Sequence, residues 1–376
     1  MAAAAITLSS CSSEETTDVA KSSTITFRTS VGLNSRGVEL TTDNIQKMWV
    51  SAFYQSDGSE YFLDEEFTKD KAAGSTTFAP VNAQYWKEGR TYKFVAISPA
   101  KTEWPVAPVI AKDQVTCTDL TPATTIADQK DLVIGAVDAS SADHKTEGVG
   151  LTLKHILSQI QIKVKSTNDK IVYRIKGIRI VNVGKNKGTL TYNTTQNSAS
   201  WNLNDEKVTY TNMLDEAIVL DGQKTQEATL TGENGGAMII PQDITPWNGK
   251  KVTDTETYDK GTYISLLLNV KTTNGQQYMY PANAQGENSY GWVAIPVPNN
   301  EWKIGNKYIY TLNMSYGCGK VDPVNPNPDG GNVDAGGKDP GKGENVFGEV
   351  IKFKVTVSDW GTPNISGEID MSASAK

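Results

Sequence analysis

The chain has 376 residues with a formal net charge of -7, and Gly and Pro recur between short runs that are rich in aromatic and β-branched residues. This length exceeds what one ordinary core needs and suits two domains, while the composition favours many short strands. The negative charge argues against a nucleic-acid partner and a polybasic membrane-surface patch, and beyond residue 11 no apolar run is long enough to span a bilayer.

Residues 1–22 are predicted to form a signal and tether. Residues 1–10 are small and apolar, and Leu8-Ser9-Ser10-Cys11 resembles a bacterial lipobox, in which a signal peptidase cuts before a cysteine that then carries a lipid. No Lys or Arg precedes Cys11, so either the true start lies upstream, which we favour, or the segment is not a signal. The Ser/Glu/Thr-rich sequence up to Ser22 indicates a solvated tether. Its acidic pair, Glu14-Glu15, resembles the surface-export signal of Bacteroidota lipoproteins.

The segment from Ser23 to Gly37 is predicted to be a strand followed by a loop. Ile25, Phe27 and Val31 share one side of a period-2 pattern. Thr29 interrupts this apolar row, so we expect the strand to hold its sheet weakly. The loop that follows carries a single arginine, Arg36. We predict that this strand is removable, and the alternative is that it is simply the first strand of a sandwich.

The rest of the first half, residues 23–148, is predicted to complete an N-terminal β-sandwich. An irregular piece covers Ala100 to Ala127. Strands are expected at Met48–Tyr54, Tyr61-Phe62, Thr76–Phe78, Tyr92–Ile97 and Leu132–Ala136.

Two alternating strands lie between Leu151 and Val164, around a break at His155 to Ser158, and the domain junction is placed here. His155 is interpreted as a cap of a strand bend. A metal-ligand or catalytic role is disfavoured, because His144, in a polar loop, is the only other histidine.

Residues 149–376 are predicted to form a second β-sandwich without a helix of more than a few turns. After a strand over Ile175–Ile180, a turn at Val183–Gly188 leads into a return strand, Thr189–Tyr192. Further strands are expected at Ala217–Leu220, Ala237–Pro241, Thr262–Val270, Val293–Val297 and Tyr308–Met314.

One motif occurs twice, once in each half. Trp86–Phe94 and Trp302–Tyr310 both follow the pattern W-K-x-G-x-x-Y-x-aromatic. Glycine permits the positive φ of a tight turn, and aromatics two apart face one side of the strand that follows. The repeat predicts two related sandwiches, with these rings in the core rather than on a sugar-binding surface.

From Gly317 to Gly348 the chain is rich in Pro and Gly, which predicts a flexible linker or a long exposed loop. A final strand follows over residues 351–358, in which Ile351, Phe353, Val355 and Val357 face one way.

The first and last strands share their spacing and side-chain types. Val355 replaces Thr29 and buries better, so a groove left by the first strand could accept a strand like the last one. The alternative is that residues 351–358 are merely the last strand of their own domain.

Cys117 and Cys318 could form a disulfide or remain two buried free thiols, and three cysteines in all exclude a disulfide scaffold.

Several features then occur in order: the lipobox cysteine, a first strand ending near an arginine, Leu153–Ser158 (LKHILS), Ile239–Gln242 (IIPQ), the Trp302–Tyr310 motif and Val357–Trp360 (VSDW). Together they resemble the fimbrillin-like proteins of Bacteroidales over nearly the whole chain. The resemblance implies an all-β fold of two tandem transthyretin-like (Greek-key) β-sandwich domains. It also implies export as an outer-membrane lipoprotein to the cell surface and assembly with other fimbrial subunits into type V pili, or an accessory or tip role.

In the family's stalk subunits, an arginine-specific protease cuts behind the first strand, and a neighbour donates a replacement strand. Arg36, followed by Gly37, matches this cleavage site, whereas Arg28 lies within the strand and is a poorer candidate. The ligand on a host or bacterial surface is not identified by the sequence.

Two other functions were weighed. A tandem-sandwich glycan-binding lipoprotein would use Trp104, Trp201, Trp247 and Trp292, which lie outside the repeated motif. An enzyme is disfavoured, because no zinc motif of the H-E-x-x-H type, no G-x-S-x-G and no phosphate loop occurs. We therefore expect neither a cofactor nor a catalytic metal.

Overall fold

A computed structural model of the chain describes residues 23–31, 40–144, 148–222, 227–232, 235–250, 261–274, 277–298, 301–328, 331–349 and 351–359. Three residues with predicted roles, Cys11, Arg36 and Gly37, lie outside the described residues. The fold is all-β, as predicted, and within the described residues its helical segments are single turns at Lys101–Glu103, Ile126–Asp128 and Ser141–His144.

The strands are numbered in chain order. They are β1 (Phe27–Val31), β2 (Lys47–Tyr54), β3 (Glu60–Lys69), β4 (Thr77–Pro80), β5 (Thr91–Ser98), β6 (Val109–Ile110), β7 (Gln114–Leu120), β8 (Val133–Ser140), β9 (Val149–His155), β10 (Ser158–Lys165), β11 (Ile171–Val183), β12 (Lys187–Asn193), β13 (Ser198–Asn204), β14 (Val208–Leu220), β15 (Ala228–Thr229), β16 (Ala237–Ile239), β17 (Gln242–Asp243), β18 (Tyr263–Thr272), β19 (Tyr278–Tyr280), β20 (Gly291–Pro296), β21 (Glu301–Trp302), β22 (Asn306–Asn313), β23 (Lys320–Val321) and β24 (Lys352–Asp359).

The first half closes into a barrel in the order β1-β4-β3-β2-β5-β8-β9. Alternate residues of each strand point inward and fill the interior, because successive side chains of a strand face opposite sides. Phe27, Phe67, Phe78 and Phe94 are among its fully buried members. The predicted break at His155 to Ser158 is confirmed, since β9 ends at His155 and β10 begins at Ser158.

The second half builds its core between two sheets. One sheet has the order β15-β10-β22-β24, with β16 also paired to β10, and the other has the order β14-β11-β18-β20-β23, with β19 also paired to β18. Ile162, Ile178, Leu266 and Tyr310 are fully buried between them. The strands β17 and β21 form a small separate pair.

A mixed sheet, β13-β12-β7-β6, joins the two halves and corrects two predictions. Residues 100–127 are not wholly irregular, because they contain β7. The segment after the turn at Val183–Gly188 does form a strand, but this strand, β12, pairs with β13 and β7 rather than returning along β11. A third core lies against this sheet and includes Val95 and Ile134 from the barrel and Leu190 from β12.

The Pro/Gly-rich segment 317–348 is a long loop anchored to the second half, so the prediction of a flexible linker is wrong. Asp322 is fully buried and accepts hydrogen bonds from the side chains of Tyr263 (3.1 Å), Ser265 (2.7 Å) and Arg179 (3.1 Å). The Arg179 guanidinium also stacks on Trp292, 3.8 Å from the ring centre. A buried ion pair inside a hydrogen-bond network of this kind fixes the loop to the sheet.

The repeated motif has the same structure in both halves. Gly89 and Gly305 have φ of +67° and +66°, and the backbone N–H after each tryptophan donates to the hydroxyl of the motif tyrosine. These tyrosines, Tyr92 and Tyr308, are buried, which confirms that the rings serve the core. Burial raises the pKa of Tyr92 to about 12.

Candidate functional site

The candidate site is the groove that β1 occupies in the barrel. β1 runs parallel to β9, with Phe27 opposite Val149 and Val31 opposite Leu153. On its other side it runs antiparallel to β4, but the pairing there covers only Phe27 and Arg28. Because β1 closes the barrel, its removal would leave unpaired backbone groups on both of these neighbours.

The inward side chains of β1 fill a closed apolar channel. Ile25, Phe27 and Val31 have no exposed surface, as the period-2 pattern predicts, and Thr29 is 2% exposed in the same row. The Phe27 ring makes edge contacts with Phe67 and Phe94, at centroid distances of 5.0 and 5.2 Å. These four positions therefore form a row of pockets that a strand of matching spacing could fill.

Thr29 is the weak position of this row, as predicted. Its hydroxyl is buried, and the hydrogen bond it makes goes to the thioether sulfur of Met48 at 3.6 Å. A thioether is a poor acceptor, so the buried hydroxyl regains little of the hydration that it loses.

Gly148 allows β1 to lie close to the start of β9. Its φ is +75°, and a Cβ there would lie 2.9 Å from the Thr26 hydroxyl. The Val149 N–H then donates to the Thr26 carbonyl at 2.8 Å. A larger residue at position 148 would push β1 out of its seat.

Side chains hold both ends of the chain where it leaves and re-enters the described structure. The Thr42 hydroxyl accepts from the Val31 N–H and donates to the Val31 carbonyl, both at 2.9 Å. The Leu40 N–H donates to the Asp131 carboxylate at 2.8 Å. The loop with Arg36 and Gly37 lies between these two points, outside the described residues.

His155 has a structural setting at the end of β9. Its Nδ1 lies 3.1 Å from Oδ1 of Asp131, and both side chains are buried. The interpretation of His155 as a cap at a strand bend therefore fits its position. Asp131 was not singled out in the sequence, and neither was Thr42. The turn-forming run Thr41–Asn44 was the available signal for Thr42.

The candidate donor strand, β24, pairs within its own half. It lies antiparallel to β22, with Tyr310 opposite Val355, and at the edge of its sheet as described. Ile351 and Val355 are buried and Val357 is half-buried, whereas the Phe353 side chain is outside what the structure describes. In this structure residues 351–358 are thus the last strand of their own sheet, as the alternative prediction stated.

The tryptophans considered for sugar stacking do not form a platform. Trp104, Trp247 and Trp292 are only 5%, 6% and 5% exposed. Trp201 is half-buried, and its indole N–H donates to the Ile156 carbonyl at 3.0 Å. Sugar stacking needs an exposed ring face, so the first three cannot provide one.

Two further searches gave negative results for the described part of the chain. No group of three or more His, Cys, Asp or Glu side chains there is arranged to hold a metal ion. No helix there has the length and apolar character that crossing a membrane would require. Cys117 and Cys318 are buried free thiols, so of the two alternatives the disulfide is wrong.

A family model described as fimbrillin-like matches residues 35–360. Among solved structures, the chain is similar to a fimbrial protein from Bacteroides vulgatus, at 14% identity and a TM-score of 0.49, with 89% of this chain and 99% of that chain covered. It is also similar to candidate cell adhesion proteins from Bacteroides uniformis (14% identity, TM-score 0.45, 91% and 99% covered) and Bacteroides eggerthii (13%, 0.43, 90% and 97%). A comparison with curated proteins found no match.

Proposed function

The chain belongs to the fimbrillin-like family, and from this premise we propose that it is a surface-exposed fimbrial subunit or accessory adhesin that assembles by strand exchange. Cleavage after Arg36, before Gly37, frees β1, and a strand from another subunit takes its place. The partners are other fimbrial subunits, either identical copies or related chains.

The observation that carries this proposal is the way β1 is seated. It is a single short strand that closes the barrel, it fills a row of apolar pockets, and it is followed by a separate loop that contains the candidate cleavage site. Cutting this loop would turn β1 into a separate peptide without breaking any other strand.

Energetics favour replacement over simple loss. Burial of Ile25, Phe27 and Val31 contributes about 1.5–3 kcal/mol for each side chain. A small domain has a total stability of about 5–15 kcal/mol, so a barrel without β1 would be marginal at best. An incoming strand that refills the pockets restores the closed barrel.

β24 has the features expected of such a strand. Its apolar residues share the spacing of those in β1, and Val355 would enter the position of Thr29 without burying a hydroxyl. It is bonded to β22 alone among the described strands, so its release breaks one ladder. Head-to-tail donation of this kind does not close on itself and produces a filament.

Lipidation completes the proposal at the other end of the chain. Cys11 would carry the lipid that attaches the uncut protein to the outer membrane, and cleavage at Arg36 would separate the folded part from that anchor. The assembled protein would then lie in a fimbrium at the cell surface.

The test is to purify the surface form from cells and sequence its amino terminus. A start at Gly37 is expected, and Arg36→Ala should abolish it while Arg28→Ala leaves it unchanged. Lipidated Cys11 on every molecule would contradict assembly by cleavage and leave only an anchor or uncleaved role. Negative-stain microscopy of sheared surface material, labelled with an antibody to this chain, shows whether filaments contain it.

A further inference from the structure

The inference concerns how β1 is kept in place, and it rests on the proposed function. The backbone groups of β1 alternate between its two sides. The N–H groups of Ile25 and Thr29 donate to carbonyls of residues 84 and 76, on the side of β4, at 2.7 and 2.9 Å. The Thr26 carbonyl accepts from β9 on the opposite side.

Val31 points to the first of these sides, two residues beyond Thr29. The described pairing of β4 with β1 has ended before this point. The Thr42 hydroxyl takes the place of the missing strand, because it meets both the N–H and the carbonyl of Val31 at 2.9 Å. One hydroxyl thus substitutes for two ladder hydrogen bonds at the end of β1 nearest the loop.

Thr42 is held in position for this contact by its own turn. The Thr41 N–H donates to the Asn44 side chain at 2.6 Å, and the Asn44 N–H donates to the Thr41 hydroxyl at 3.2 Å. The Lys69 ammonium donates to the Thr42 carbonyl at 2.7 Å. Fixed in this way, the hydroxyl makes its contacts at little further cost in conformational entropy.

We infer that Thr42 is a latch that keeps β1 seated after the loop is cut, and that strand exchange begins when this latch opens. Leu40 has the opposite role. Its bond to Asp131 keeps the remaining chain attached when β1 leaves. Cleavage alone therefore leaves β1 in its groove, and the latch sets the rate at which an incoming strand can begin to displace it.

The test uses the full chain with a sequence-specific protease site placed between Val31 and Leu40. After cutting, a fluorescent peptide with the sequence of residues 350–360 is added, and its uptake is followed by anisotropy. A second peptide, with the sequence of residues 23–31, reports opening of the groove independently of the donor.

Thr42→Val is expected to accelerate uptake of both peptides, by about tenfold for two hydrogen bonds of ordinary net strength. Thr42→Ser keeps the hydroxyl and should match the wild type. Ser30→Ala is the matched control, because it removes an exposed contact between β1 and Thr152 at 3.3 Å. Equal rates for Thr42→Val and the wild type, or equal acceleration by Thr42→Ser or Ser30→Ala, would overturn the latch.

The two peptides separate the latch from the proposed function. Faster uptake of the 23–31 peptide by Thr42→Val, with no uptake of the 350–360 peptide by any chain, would support the latch and contradict β24 as donor. In the uncut wild type, the Val31 amide should exchange its hydrogen as slowly as the Thr29 amide. Rapid exchange at Val31 would overturn the latch without the need for any variant.

Discussion

Replacing Phe27 by alanine tests whether β1 occupies a packed pocket. The side chain is fully buried and meets Phe67 and Phe94 edge to face. Loss of a buried phenylalanine costs about 3–5 kcal/mol, which is a large part of the stability of a small domain. In a domain of this size, each kcal/mol lowers the melting temperature by roughly 2–4 °C, so we expect a decrease of about 10 °C.

Differential scanning calorimetry of the uncut chain measures this decrease, and amide hydrogen exchange localises it to the barrel. Phe27→Leu is the control, since it keeps most of the apolar volume and should lose much less stability. A loss below about 1 kcal/mol for Phe27→Ala would mean that the pocket collapses without strain or that β1 is not packed there. Either result would refute the argument that the vacated groove requires a replacement strand.

Three further predictions concern the rest of the molecule. Tyr310→Phe removes a hydroxyl that accepts from a buried indole N–H at 3.0 Å and should cost about 1–3 kcal/mol in urea unfolding. Phe94→Tyr in the other copy of the motif should stabilise the chain, because the indole N–H there is buried without a partner. Asp322→Asn leaves a buried guanidinium without its counter-ion and should make loop 317–348 sensitive to limited proteolysis. Cys117 and Cys318 should not react with a thiol reagent at pH 8 until the chain is unfolded, since burial raises the pKa of the Cys117 thiol to about 11 and that of Cys318 further above its usual range.

The thiols also give a pH dependence with a defined sign. An unfolded thiol has a pKa near its ordinary 9.0, whereas the folded Cys117 keeps its proton up to about 11. The unfolded state therefore binds fewer protons between these values, and the free energy of unfolding should fall as pH rises from 9 towards 11. Cys117→Ala should reduce this slope. Reaction of either native thiol at pH 8 would contradict the burial on which the prediction depends.

Period-2 patterns gave the strands of the barrel and the inward row of β1, because one buried face imposes alternation on the sequence. The repeated motif could also be interpreted correctly, since its glycine and its aromatics are fixed by local backbone geometry. Thr29 was recognised as the weak position for the same reason: it occupies an inward position with a polar side chain.

Features that depend on distant partners could not be predicted in the same way. The strand β7 has a mixed Thr, Cys and Asp sequence, and it is a strand because β12 pairs with it from the other half of the chain. Loop 317–348 has the composition of a linker, yet one buried carboxylate, Asp322, fixes it to the sheet. The contact of Thr42 with Val31 depends on where β4 ends, which the sequence around Thr42 does not encode.

The mixed sheet has a mechanical consequence. In a filament, tension would enter each molecule through the refilled groove and leave through its donated strand, so it would cross from one half to the other. A junction made of a single connecting segment would act as a hinge and bend under that load. Here β7 and β12 are paired from Gln114 to Leu120, beside a shared apolar core, so bending would require hydrogen bonds and packed side chains to separate together. The stiffness of such a filament would then originate inside each molecule as well as at the contacts between molecules.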